Sequence, residues 1–189
     1  MNKTFFSQVS QLSRWLLMAT LSALLAPAVG IAADRAALER DARSAYQKLI
    51  DKIPAAKVLS RDAVAVLVFP TIIKAGLVVG GQYGDGVLFR AGKASGYYNT
   101  SGASYGLQAG AQQYGYAMFF MKEEALRTLN QAEGFEVGVG PSIVVVDEGM
   151  GKSMTSTTVH DDIYAFIFGQ TGLMAGIGLQ GNKITRLKN

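Results

Sequence analysis

The sequence predicts an α+β domain, with a curved or partly closed antiparallel β-sheet, an N-terminal amphipathic helix and one further helix. Three observations carry this. Alternating apolar runs joined by short turn segments outnumber helical patterns. A helical apolar stripe is confined to residues 34–53 and a shorter one to 123–131. Finally, one pattern recurs in three alternating runs, as Gly80-Gly81-Gln82-Tyr83-Gly84, Gly106-Leu107-Gln108-Ala109-Gly110 and Gly178-Leu179-Gln180-Gly181-Asn182. At a period of two, the outer glycines (or Asn182) and the glutamine share one strand face. Such a face has little bulk, so a backbone can approach closely or the sheet can bend.

The first 32 residues read as a cleaved secretory signal. Lys3 and Arg14 form a basic start, Trp15 to Ala26 is apolar, and Pro27 breaks the helix. Gly30-Ile31-Ala32 fits a small-x-small cleavage site, with Ala26-Pro27-Ala28 a second candidate. A membrane span needs about 20 apolar residues, so this stretch is too short for a permanent anchor. Residues 33–189 then form one domain. The chain's net charge is +4. Losing Lys3 and Arg14 brings it to about +2, too little for nucleic-acid binding through a global field. The absence of cysteine removes disulfides, thiol nucleophiles, cysteine metal sites and a lipid-modified N-terminal cysteine.

The elements follow in order. Asp34 to Lys52 is a helix whose apolar stripe runs through Leu38, Ala42, Ala45, Tyr46, Leu49 and Ile53. Its other face holds Arg35, Glu39, Arg40, Arg43, Lys48 and Lys52, with Glu39 and Arg43 spaced for an i,i+4 pair. Pro54 ends the helix and starts a short turn of another through Leu59. Ala63 to Phe69 is a buried strand closed by Pro70. Two alternating runs from Gly76 to Tyr98 flank a hairpin turn at Arg90-Ala91-Gly92-Lys93. Ser104 to Phe120 alternates again, and Glu123 to Gln131 is the second helix. Phe135 to Val139, Ser142 to Asp147, Ile163 to Phe168 and Leu173 to Leu187 are further strands, with Gly169-Gln170-Thr171-Gly172 a hairpin between the last two. Gly149 to Asp162 reads as a loop or irregular edge.

Several motifs match in letters but fail in context. Gly102-Ala103-Ser104-Tyr105-Gly106 has the form of a nucleophile elbow, followed in order by Asp147 and His160. An elbow needs a helix directly after the serine, and the sequence there alternates as a strand. A serine hydrolase is the minor alternative. Gly176 to Gly181 matches a dinucleotide fingerprint, yet only eight residues follow it, too few for the helix and acidic residue required. His160-Asp161-Asp162 lacks a second His or Cys, so no metal site and no cofactor is expected. Lys74 stands out, a lone cation in an apolar stretch. Its ammonium needs a partner or water, such as the Asp85 carboxylate or an anionic ligand.

The run from Val64 to Phe89 resembles the signature of the SYLF lipid-binding family, with an apolar strand, a Lys74-Ala75-Gly76 step and a glycine-rich strand pair. Ser104 to Gly115, Phe135 to Asp147 and Tyr164 to Thr185 match the family in order. The resemblance implies a non-enzymatic α+β domain that binds membrane lipids, phosphoinositides in eukaryotic members, while some fungal members bind actin. For an exported, periplasmic member in a bacterial envelope it implies anionic phospholipids instead, and no actin. It places headgroup contacts on the N-terminal helix and the Lys-Ala-Gly lysine: Arg35, Arg40, Arg43, Lys48, Lys52 and Lys74. The alternative is an envelope interaction module whose glycine-rich sheet pairs with a protein partner or with itself.

Overall fold

The computed structural model describes residues 34–76, 79–105, 110–130, 135–136, 143–146, 160–172 and 182–188. The chain divides into two compact units, Met1–Ala37 and Leu38–Asn189. In the first, the described residues 34–37 are the helical start of α1, which spans 34–52. The segment expected to be a signal, residues 1–32, lies outside the described residues, as do Gly106–Ala109 and Gly178–Gly181 of the repeated pattern.

After α1 come α2 (Pro54–Asp62), β1 (Ala65–Gly76), β2 (Val79–Arg90), β3 (Lys93–Tyr105), β4 (Gly110–Phe120), α3 (Glu123–Leu129), β5 (Phe135–Glu136), β6 (Ile143–Val146), β7 (Ile163–Gly172) and β8 (Asn182–Arg186). Among the described residues the strands form one curled sheet in the order β5-β8-β3-β2-β1-β4-β7-β6. Every pairing is antiparallel except β6 with β7, which is parallel. The expected α+β domain with an N-terminal helix is therefore present. Its sheet is mixed, because β6 enters beside β7 in the same direction.

Local chemistry explains the main boundaries. Ile53 is extended (φ −114°, ψ 104°) before a proline that suits the first turn of α2, so α1 stops there. The turn from β2 to β3 puts Ala91 at φ 46° and Gly92 at φ 74°, the left-handed pair of a type I′ hairpin. Pro70 does not close β1 as the sequence suggests. It falls where the registers with both β2 and β4 shift, a bulge where its missing N–H leaves no ladder bond broken. The bend needs small residues on β2. A Cβ on Gly86 would lie 2.5 Å from the Phe69 ring, and one on Gly84 would lie 2.7 Å from the Thr71 carbonyl oxygen. The expected bulk-free face thus works as a seat for the bulged neighbour strand.

The expected hairpin at Gly169 to Gly172 is absent. These residues continue β7, which pairs with β4 as far as Gly172, while β8 pairs with β3 and β5. The glycines at φ 61° and 105° accommodate a bulge instead of reversing the chain.

Both sheet faces are covered. On one, Leu67, Phe69, Leu88, Met118 and Phe120 pack with Ala125, Leu126 and Leu129 of α3. On the other, Val66, Val68, Val87, Ala117, Phe119 and Phe166 pack with Ala42 and Leu49 of α1 and with Ala55, Ala56 and Leu59 of α2. The alternation along β1 and β4 sends successive side chains into opposite cores. Ion pairs join Arg90 to Glu123 and Lys122 to Asp162, the latter at 2.7 Å, fixing the start of α3 against the ends of β2 and β7.

Candidate functional site

Helix α1 lies on its sheet face along its apolar stripe, which leaves two polar flanks. On one, Glu39 accepts a hydrogen bond from the Tyr97 hydroxyl. There also Arg43 donates to the Gly92 carbonyl at 2.8 Å and stacks 4.8 Å above the Phe89 ring. The expected Glu39–Arg43 spacing is thus turned toward the β2–β3 hairpin. The other flank, with Asp41, Ser44, Lys48 and Lys52 at helical spacing, overhangs a cleft of about 1160 Å³. Its apolar bed is formed by Leu49, Ile53, Pro70, Val146, Ile167 and Phe168. Gly115 makes room for that bed: a Cβ there would lie 2.3 Å from the Phe168 ring, which rests on the glycine. The cleft is comparable in size to small-molecule sites, about 300–1,000 Å³. It combines an apolar bed with two exposed ammonium groups.

The six cations singled out by sequence therefore do not form one cluster. Lys48 and Lys52 border the cleft. Arg40 is exposed on the outer surface of α1, and Arg43 is tied to the opposite flank. Arg35, half-buried, belongs to the first unit.

Lys74 is 1 % exposed and follows Ile72 on the α3 face, on the other side of the sheet from α1. Its register partners are Gln82 on β2 and Gln112 on β4. Asp85, the carboxylate weighed as its partner, shares the α1 face with Val87 and accepts hydrogen bonds from Asn99 at 2.8 Å and Tyr83 at 3.3 Å.

Lys74 lies in a cross-strand row with Gln82, Gln112 and, across Gly102, Asn182, all four buried, and Thr100 is buried too. The Tyr114 hydroxyl donates to Gln82 Oε1 at 3.1 Å. Gln82 Nε2, Gln112 Oε1 and the Tyr116 hydroxyl are buried and have no hydrogen-bond partner among the described residues. Burial pushes the Tyr114 phenol up to about 12. It pushes Tyr116 higher still, with Tyr114 adding to the rise. Both phenols are therefore neutral across the physiological range.

Two of the other motifs fall on described structure that does not serve them, while Gly176 to Gly181 lies outside the described residues. Ser104 lies on β3 opposite Gly80, and the next described element is strand β4, so the strand–turn–helix of a nucleophile elbow is not what β3 leads into. His160 is exposed, and its backbone N–H donates to the Tyr164 hydroxyl at 3.0 Å. No group of three or more potential metal-ligating residues occurs among the described residues. No helix among them is long and apolar enough to cross a membrane.

Sequence reasoning missed the cleft's strand-borne side, Val146, Ile167 and Phe168. Their alternation marked them as strand residues. That Phe168 lies on Gly115 depends on the β4–β7 register, which local pattern does not encode.

The described residues thus form a curled, glycine-seated sheet with an amphipathic helix packed on one face and a cleft beneath that helix. Residues 101–189 match the model of the Ysc84 family, described as "Las17-binding protein actin regulator". Over this part of the chain the match agrees with the family that the sequence resembles. The match runs from within β3 through β8, whereas the Lys74-Ala75-Gly76 step and the cleft's helix lie upstream of it. No curated protein matches the chain.

Proposed function

We propose that this chain is a non-enzymatic, exported lipid-binding protein of the bacterial envelope. It acts peripherally and recognises anionic phospholipids. The observation that carries the reading is the cleft, where Leu49, Ile53, Ile167 and Phe168 offer an apolar bed to acyl chains and Lys48 and Lys52 offer cations to a phosphate. Arg40 is a further exposed cation on α1. The family's description names an actin regulator; in a periplasmic member the lipid side of the family carries over, since actin is not a partner there.

The test is a methyl and aromatic NMR titration with short-chain phosphatidylglycerol and, separately, phosphatidylcholine below their micellar concentrations. Shifts at Ile167 and Phe168 with the anionic lipid first support the reading. If neither lipid moves these signals, the cleft is not the site.

A further inference from the structure

Lipid-binding helices insert through their apolar face, but the apolar stripe of α1 is already used. Ala42 and Leu49 are buried in the core of the sheet face beneath it. Exposed apolar bulk lies elsewhere. Of the five large hydrophobic side chains exposed among the described residues, three sit at one end of the β1–β2 pair: Ile73 at 51 %, Val79 at 67 % and Tyr83 at 57 %. Ile73 and Tyr83 are direct cross-strand partners. Val79 shares their face, four residues from Tyr83 along β2. The segment from Ala75 to Gly84 holds ten residues without a charge. The one adjacent cation, Lys74, points to the opposite face.

We infer that the β1–β2 strand pair is the element that enters the lipid surface, with Ile73, Val79 and Tyr83 as its inserting side chains. The inference rests on the lipid reading and deepens it. Position and charge commit the patch to a membrane. Ile73 pairs on its other side with Gln113, a cleft residue, so the patch continues into the cleft that Lys48 and Lys52 overhang. Cations beside an uncharged apolar projection match the layering of headgroups over acyl chains. Tyr83 supplies the aromatic ring with a polar tip that favours the boundary, its hydroxyl held by Asp85.

Trp15 is the chain's single tryptophan. In the full chain, Trp15→Phe with Tyr83→Trp therefore leaves one indole reporter, on the patch. Emission is followed with vesicles of phosphatidylglycerol and phosphatidylcholine, with and without brominated acyl chains, while sedimentation of the same samples reports binding. The expected result is a blue shift together with quenching by the brominated chains. Ile73→Ser with Val79→Ser should weaken vesicle affinity at least about tenfold while leaving the melting temperature unchanged, because both side chains are exposed. Chain that sediments with the vesicles while its indole emission stays unquenched overturns the insertion and leaves the lipid reading standing. Chain that sediments with no vesicle overturns both. A blue shift that grows with protein concentration without lipid assigns the patch to a second copy and overturns the insertion.

Discussion

Lys48 and Lys52 stand one helical turn apart on the flank of α1 that overhangs the cleft, and both are exposed. Replacing both with glutamine keeps part of each aliphatic stem over the apolar bed and removes the charge. A cation near an anionic leaflet contributes about 1 kcal/mol. The pair therefore accounts for about 2 kcal/mol, and at 1.4 kcal/mol per decade the variant should bind anionic vesicles about 30-fold more weakly at low salt. Its folding stability should stay within about 0.5 kcal/mol of the parent, since neither side chain is in a core. The assay is binding to phosphatidylglycerol vesicles as salt rises. The Debye length is about 10 Å at 0.1 M, so the gap between parent and variant should narrow toward that concentration and beyond. A loss below about threefold at low salt, with the fold intact, would refute the assignment of the headgroup to this flank.

Three further outcomes follow from the packing. Gly86→Ala places a methyl 2.5 Å from the Phe69 ring and 2.8 Å from the Val68 carbonyl oxygen, both held by the β1 bulge; urea unfolding should show a loss of about 1–3 kcal/mol or more. Lys74→Glu puts a carboxylate into a 1 % exposed site between Gln82 and Gln112. It should cost at least about 3 kcal/mol in the same assay, with any loss of lipid binding following the loss of fold. Tyr114 and Tyr116 keep their protons in the folded chain well above the usual phenol range because burial disfavours the charged form. The unfolded chain loses those protons first, so their contribution to stability is complete below about pH 10 and fades as pH rises through about 12. A pH-jump record of tyrosinate absorbance should show these two ionising only with unfolding.

Local pattern was enough to find the helices, because the stripe Ala42, Tyr46, Leu49, Ile53 and the run Ala125, Leu126, Leu129 have one period each and one core to fill. It was enough for the β2–β3 hairpin as well, since Ala91-Gly92 adopts the left-handed turn that such a connection needs. It failed at Pro70 and at Gly169 to Gly172, where residues that usually end strands sit in bulges. A bulge is defined by the partner strand's register, and the partner is remote in sequence. The site was half legible for the same reason. Helical spacing set Lys48 and Lys52 on one flank, yet nothing local says that Ile167 and Phe168 lie beneath them. Lys74 shows the limit most clearly. Its oddness was visible in an apolar stretch, but the side of the sheet it enters was settled by the bulge between Val68 and Ile73, which resets the alternation.

Recognition of anionic lipid is tested by sedimenting Ala33 to Asn189 with neutral and with anionic vesicles across a salt series. The chain should bind phosphatidylglycerol vesicles and bind phosphatidylcholine little, with binding that declines as salt rises. Equal binding to both at every salt concentration, or binding to neither, would contradict it.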